Sequence, residues 1–127
     1  MNRNTVLWTI PSVLVLFLLN VGCGQKKEER SIADLVGALK ANDEAARIMA
    51  AEGLGEQGRA EPAQAVPALT EALKDPSAIV RQTAVKALAQ IGPEARSAAP
   101  ALKKALGDSD QGVRLAAAEA LKAIQAN

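Results

Sequence analysis

The stretch that decides the fold is "PALTEALKDPSAIVRQTAVKALAQIG", residues 67–92. Leu69 and Leu73 lie four residues apart, which is typical of the apolar face of a short helix. The residues "KDPS" then interrupt the helical pattern, as turn-forming residues do. From about Ser77 to Ile91 the apolar residues return on one face, at spacings of 4, 4 and 3: Val80, Ala84, Leu88 and Ile91. The pattern predicts two helices joined by a short turn.

The same pattern occurs twice more, in "ADLVGALKANDEAARIMAAEGLGEQG" (residues 33–58) and "PALKKALGDSDQGVRLAAAEALKAIQ" (residues 100–125). The three copies align without a gap, at a period of 34 and then 33 residues. Five positions match in all of them: Leu35, Leu69 and Leu102; Leu39, Leu73 and Leu106; Arg47, Arg81 and Arg114; Ala50, Ala84 and Ala117; Leu54, Leu88 and Leu121. Units that repeat at this period bury their apolar faces against their neighbours. We therefore predict an all-α fold, a short α-solenoid of about three helix pairs covering residues 32–65, 66–99 and 100–127.

Prolines and glycines mark the predicted helix ends. Pro67 and Pro100 stand at the start of the first helix of their copies, where a missing backbone N–H costs nothing. Gly58 and Gly92 follow the second helix, which is typical of a left-handed C-terminal cap.

The repeat "VPALTEALKDPSAIVRQTAVKALAQIG" resembles the HEAT repeat, most closely its bilin-lyase-like subclass. The first copy departs from the pattern, with Ala33 for the opening Pro, Ala41 for the turn Asp and Gln57 for the closing Ile, and the last copy lacks the closing Gly. The resemblance implies a hydrogen-bonded ladder in which the turn Asp and the following Arg link repeats. It assigns structural roles to Asp75, Arg81, Asp108 and Arg114. Asp43 lies two residues later than the turn Asp, so it is a candidate partner of Arg47 in a shifted geometry.

The N-terminal segment has the pattern of a secretory signal. Residues 1–22 have a basic start at Arg3, an apolar stretch and then small residues. The sequence "NVGC" resembles the bacterial lipobox, although Asn20 replaces the preferred Leu. This predicts cleavage before Cys23, the chain's single cysteine, and its lipidation, with residues 23–31 as a lipidated, polar tether. Two or more acyl chains anchor a protein stably where one does not. An uncleaved membrane anchor and an ordinary cleaved signal are the alternatives.

The composition of the chain argues against several classes of function. The net charge is +1 and no basic stripe with interleaved aromatics is present, so nothing points to nucleic acid. The chain has no histidine, which argues against histidine-dependent iron or zinc sites and nucleophile triads. No carboxylate cluster points to a metal, and no small-molecule substrate or cofactor is indicated. The sequence therefore predicts a protein that is not an enzyme.

What remains is a binding surface along the second helices. The positions one, two, five and nine after each Arg are expected to face a groove: Ile48, Met49, Glu52 and Glu56; Gln82, Thr83, Lys86 and Gln90; Leu115, Ala116, Glu119 and Ala123. The candidate protein-binding residues among them are Ile48, Met49, Gln82, Lys86, Leu115 and Glu119. We expect a lipoprotein of the bacterial cell envelope, with its repeat domain outside the cytoplasm, that binds or scaffolds an unidentified protein at a membrane. An accessory role in attaching bilins, which are tetrapyrroles, is the alternative.

Overall fold

The computed structural model describes residues 30–126, which form α-helices, one 3-10 helix and connecting turns. The helices in chain order are α1 (Ile32–Ala38), α2 (Glu44–Gln57), α3 (Pro62–Ala72), α4 (Ala78–Ile91), the 3-10 helix (Gly92–Ala98), α5 (Ala99–Ala105) and α6 (Gln111–Gln125). They make three successive helix pairs, so the all-α solenoid expected from the repeat is confirmed.

The helices lie in two layers. The second helices of the three pairs pack side by side, with α4 between α2 and α6, while α1, α3 and α5 cover the other side. The core between the layers contains the repeated leucines Leu54, Leu69, Leu88 and Leu102, each with no exposed surface. Leu121, in the same column as Leu54 and Leu88, is only partly buried, because in the described residues no further repeat packs beyond it.

Each second helix begins in the same way. Asp43, Ser77 and Asp110 occupy one column, and the side chain of each accepts a hydrogen bond from a backbone N–H in the first turn of its helix. Such a cap satisfies one of the free N–H groups at the helix start. Asp43 is therefore the N-cap of α2, and the prediction that it pairs with Arg47 is wrong.

Two predictions about helix ends are also wrong. Pro67 lies inside α3, which begins five residues earlier at Pro62, so a different proline supplies the helix start. Gly58 has φ −64° and is not left-handed. It is glycine for lack of space: a Cβ there would lie 2.8 Å from Ala65 Cβ and 2.8 Å from Ile91 Cδ1. Gly92 does have a positive φ, +77°, although its ψ of −137° is not that of a left-handed helix.

Candidate protein-binding surface

The repeats are joined by a ladder of arginine–aspartate pairs at the turn end of the second helices. Arg47 donates from Nε to Asp75 Oδ2 at 2.8 Å and from Nη2 to Asp75 Oδ1 at 3.2 Å. Arg81 makes the same two hydrogen bonds to Asp108, both at 3.0 Å. Each arginine thus holds the aspartate of the following repeat with a planar fork, the strongest geometry for such a pair.

Every ladder arginine is also fixed to its own turn. Nη1 of Arg47 donates to the carbonyls of Ala41 and Asn42, and Nη1 of Arg81 donates to those of Asp75 and Pro76. Nη1 of Arg114 likewise donates to the carbonyls of its own turn, at Asp108 and Ser109. These contacts fix the orientation of each guanidinium group. Because Arg47 and Arg81 also bind the aspartate of the next repeat, the ladder sets the register between helix pairs.

The second pair of the ladder, Arg81 and Asp108, is electrostatically favourable. The hydrogen bonds from Arg81 hold the pKa of the Asp108 carboxyl below its ordinary value, against the opposing effect of burial. The same hydrogen bonds raise the pKa of Arg81. Both side chains are 14% exposed, so solvent screens this pair less than a pair on the open surface.

A recess of about 420 Å³ lies between α2 and α4, on the layer of second helices. It is lined by polar and charged side chains together with Ala87: Glu52, Glu56, Thr83, Lys86 and Gln90. Glu52 and Lys86 occupy the same column, five residues after the ladder arginine, and both are exposed. Within residues 30–126 neither of these two side chains makes an ion pair, so both charges are open to a partner.

The six candidate binding residues are not brought together. Of them, only Lys86 lines this recess. Met49 is 58% exposed and Leu115 is 60% exposed, while Ile48 and Gln82 are half-buried and Glu119 is exposed one repeat further on. Ala116, expected in the groove, is buried in the core.

Gln82, one residue after Arg81, faces the next repeat and not the groove. The side-chain amide of Gln82 lies so close to α6 that a Cβ built on Gly112 would be 3.1 Å from Gln82 Nε2. Leu115 occupies the same column in the last repeat. The columns five and nine after the arginine supply most of the lining of the recess, so the predicted positions do not all face one groove. The assignment of the six candidate residues to protein binding stays a prediction.

A second recess, of about 480 Å³, lies between α3 and α5 on the opposite layer. It is lined by residues that include Thr70, Leu73, Lys74, Pro100, Lys104 and Asp108. Sequence reasoning missed it because its two lysines belong to different columns of the repeat: Lys74 corresponds to Gly107, and Lys104 to Glu71. Column matching finds only features that recur in each copy.

Three other observations bear on chemistry and location. No group of three or more His, Cys, Asp or Glu side chains within residues 30–126 is arranged to hold a metal ion. In the same residues, no helix has the length and apolar character needed to cross a bilayer. Residues 1–22 and Cys23 lie outside the described part of the chain, and the lipobox there stays a prediction.

The comparisons with known proteins agree with this geometry. A family model of HEAT repeats matches residues 66–127, and one of HEAT-like repeats matches residues 40–91. Together the two matches cover residues 40–127, so the chain contains HEAT repeats. No curated protein sequence matches it. Among solved structures, the HEAT repeats are similar to a chain in the complex of CpcE and CpcF of phycocyanin lyase from Nostoc sp. PCC7120. The two are 30% identical with a TM-score of 0.70, and the alignment covers 79% of this chain and 39% of that chain.

This similarity contradicts the prediction that the HEAT-repeat chain is not an enzyme, since the similar chain comes from a lyase complex. The prediction rested on the missing histidine and on the lack of a carboxylate cluster or an indicated substrate, and these observations argue only against particular mechanisms. The prediction therefore excluded every enzymatic role on evidence that argues only against particular mechanisms.

Proposed function

We propose that this HEAT-repeat chain is a lipoprotein of the bacterial cell envelope that binds a protein partner through the recess between α2 and α4. The observation that carries the proposal is the recess itself, where Glu52 and Lys86 stand exposed with no ion-pair partner among the described residues. The ladder fixes the two helices relative to one another, so a partner meets a preformed surface. Preformed surfaces bind more tightly because less conformational entropy is lost on binding.

The chemistry of the recess specifies the partner's surface. Glu52 and Glu56 come from α2, and Lys86 comes from α4. A matching segment carries a basic group toward α2 and an acidic group toward α4, because charge complementarity fixes orientation and excludes wrong partners. Aromatic anchoring is supplied by the partner alone, since residues 24–127 contain no aromatic residue.

Charge reversal tests this surface. The membrane-retained protein is used to capture partners, which are identified by mass spectrometry. Lys86→Glu and, separately, Glu52→Lys are expected to lose the partner that wild type captures while keeping the wild-type melting point, since both side chains are exposed. Lys103→Glu is the matched control: it makes the same change at an exposed position of α5, outside this recess. Equal capture by Lys86→Glu and Lys103→Glu would place the site elsewhere.

The anchor is tested at Cys23. We expect Cys23→Ser to release the domain from membranes or to leave an unprocessed precursor, because serine offers no thiol for the acyl-bearing group. The intact mass of the mature wild-type protein should exceed the mass of residues 23–127 by that of the diacylglyceryl group and any further acyl chain. A variant that is processed and retained on membranes like wild type would refute lipidation at this residue.

A second function, in the attachment of bilins, is supported by the similarity to the chain from the phycocyanin lyase complex. We propose it as an accessory role, because this chain covers 39% of the length of that chain. The test is incubation with a linear tetrapyrrole and an acceptor apoprotein, read by visible absorbance after denaturation so that only covalent adducts count. The control omits this chain. An adduct yield that is the same with and without the chain, together with no absorbance change on mixing the chain and the tetrapyrrole, would reject this function.

A further inference from the structure

The recess between α3 and α5 lies on the layer opposite the one that the proposed function uses, and its volume is about 480 Å³. It arises where the third helix pair begins. The 3-10 helix packs against α3, whereas α5 packs mainly against α6, so α3 and α5 leave a gap between them. The lining extends from Ser97, near the end of the 3-10 helix, to Asp108, in the turn after α5. At about 1.5 Å per helical residue, the recess is elongated, with a length of roughly 15 Å.

The floor of this recess is apolar. Leu73 and Ala101 are half-buried, and Ala105 is buried. Thr70 donates its hydroxyl group to the carbonyl oxygen of Val66 at 2.7 Å, one turn earlier in α3, so this proton is already used. Ligand sites of about 300–1,000 Å³ typically combine an apolar lining with a few polar groups that fix the orientation of the ligand. The recess therefore has the size and the floor of a small-molecule site.

The carboxylate in the lining is neutralised by the ladder. Oδ1 and Oδ2 of Asp108 each accept a hydrogen bond from Arg81 at 3.0 Å. Oδ1 also accepts one from the backbone N–H of Asp110 at 2.9 Å. The negative charge of Asp108 is thus matched within the protein, so it does not oppose the binding of an anion in the recess.

Two lysines supply the charge that is open to a ligand. The ammonium group of Lys104 makes no ion pair and no hydrogen bond with any residue between 30 and 126. Lys74 pairs with Glu71 at 3.1 Å, and the two side chains are 74% and 73% exposed. An exposed ion pair of this kind contributes little. Both ammonium groups are therefore available to an anion in the recess.

The charged and apolar parts of the lining lie at different places along the recess. Lys74 follows the end of α3 and Lys104 lies in the last turn of α5, so both are at the turn end. Pro100 and Ala101, in the first turn of α5, line the opposite end. A ligand that matches this order has one anionic end and a linear, apolar body.

We propose that the recess between α3 and α5 binds a linear anionic amphiphile of the fatty-acid class. Lys74 and Lys104 hold the carboxylate, and the alkyl chain lies along Leu73 and Ala101, where burial removes it from water. The ligand is a free amphiphile; an anionic headgroup in a membrane carries the same charge and is a separate arm of the test. The proposal does not depend on the recess between α2 and α4 or on lipidation of Cys23.

The probe is decanoate, below the concentration at which it forms micelles. It is added to isotope-labelled protein of residues 24–127, which contains the whole described core. Amide chemical shifts measure the affinity and locate the ligand, and we expect saturable shifts that concentrate on α3 and α5. Butyrate has the same charge with a shorter chain, and decyltrimethylammonium has the same chain with the opposite charge. Each should bind at least about tenfold more weakly than decanoate.

Adjacent lysines provide matched variants. Lys104→Gln removes one ammonium group and should weaken decanoate binding about tenfold, because a hydrogen bond to a charged group is lost. Lys103→Gln makes the same change one residue earlier, at an exposed position outside the recess, and should bind like wild type. Ala101→Leu fills part of the floor and should also weaken binding. Circular dichroism checks that each variant keeps the helical fold.

Equal affinities of Lys104→Gln and Lys103→Gln for decanoate would overturn the proposal. Shifts that do not saturate, or that concentrate outside α3 and α5, would overturn it as well, as would equal binding of decanoate and decyltrimethylammonium. Vesicles of phosphatidylglycerol are the membrane arm. A domain that sediments with these vesicles but shows no shifts with decanoate recognises a membrane surface and not a free amphiphile, which rejects the proposal. A failure of the α2–α4 recess is read separately, as loss of a captured protein.

Discussion

Gly55 lies where α2 packs closely against α4, and its replacement by alanine tests the packing that shapes the recess. A Cβ at Gly55 would lie 2.9 Å from Ala87 Cα and 3.0 Å from Ala87 Cβ, and it would also collide with the side-chain oxygen of Gln90. Gln90 can rotate away, but the backbone of α4 cannot. Since carbon atoms pack at about 3.5–4.0 Å, the two helices must separate by about 0.5–1 Å.

Two effects of opposite sign act on the stability of Gly55→Ala. Alanine in a helix interior is favoured over glycine by about 1 kcal/mol. Forcing an extra methyl group into a well-packed core costs about 1–3 kcal/mol. Because the obstacle is backbone, we place the cost in the upper half of that range and expect a net loss of about 1–2 kcal/mol. For a domain of this size each kcal/mol lost lowers Tm by about 4–8 °C.

Gly37→Ala is the matched control, because it makes the same chemical change in a helix. A Cβ on Gly37 meets no atom within 4 Å, so only the helix preference acts and the free energy of unfolding should rise by about 0.5–1 kcal/mol. Urea denaturation followed by circular dichroism measures both variants against wild type. If Gly55→Ala is as stable as Gly37→Ala, α2 and α4 do not pack as closely as described, and the shape assigned to the recess is wrong.

Two further predictions concern the core and the ladder. Leu88→Ala should lower the free energy of unfolding by about 2–5 kcal/mol because Leu88 is fully buried, whereas Lys86→Ala on the same helix should change it little; equal urea midpoints would refute the assigned faces of α4. Asp108→Asn should destabilise the domain at neutral pH, where Arg81 binds the ionised carboxylate. Because Arg81 holds the pKa of Asp108 below its ordinary value of 3.8, this contribution is complete above that value and is lost as the pH falls through the lower, folded-state pKa. The stability difference between wild type and Asp108→Asn should therefore shrink in acid, and a difference that is constant down to about pH 2 would contradict the pairing.

The sequence was sufficient to predict features that recur in every copy. A leucine such as Leu88 recurs because each repeat fills the same space between the same two layers of helices. The helical period of 3.6 residues then predicts which face of the helix carries that leucine. The arginine column recurs in all three copies and the aspartate column in the second and third, because each of the two junctions has the same link. The link was expected from the resemblance, and the structure adds its direction, from each arginine to the aspartate of the following repeat.

Features that depend on the space available at one position could not be predicted from the aligned columns of the repeat. The glycine at 55 corresponds to Ala89 and Lys122, so nothing in the repeat indicates that α2 must come so close to α4. Pro67 and Pro100 occupy one column, yet Pro62 extends α3 upstream of the first and a 3-10 helix precedes the second. The rotation of each second helix about its axis depends on close contacts like that of Gly55 with α4. As a result of this rotation, Gln82 faces α6 and Lys86 faces the recess.

The composition of the core makes the surface experiments interpretable. Among residues 30–126 every buried side chain is apolar, and no buried side-chain nitrogen or oxygen atom lacks a hydrogen-bond partner. Charged groups therefore contribute to the fold chiefly through the ladder and the caps, and the exposed charges at Glu52 and Lys86 take no part in either. Reversing those charges leaves the core intact, because surface changes away from such features alter stability by no more than about 0.5 kcal/mol. A partner lost on reversal is then lost through the recess and not through unfolding.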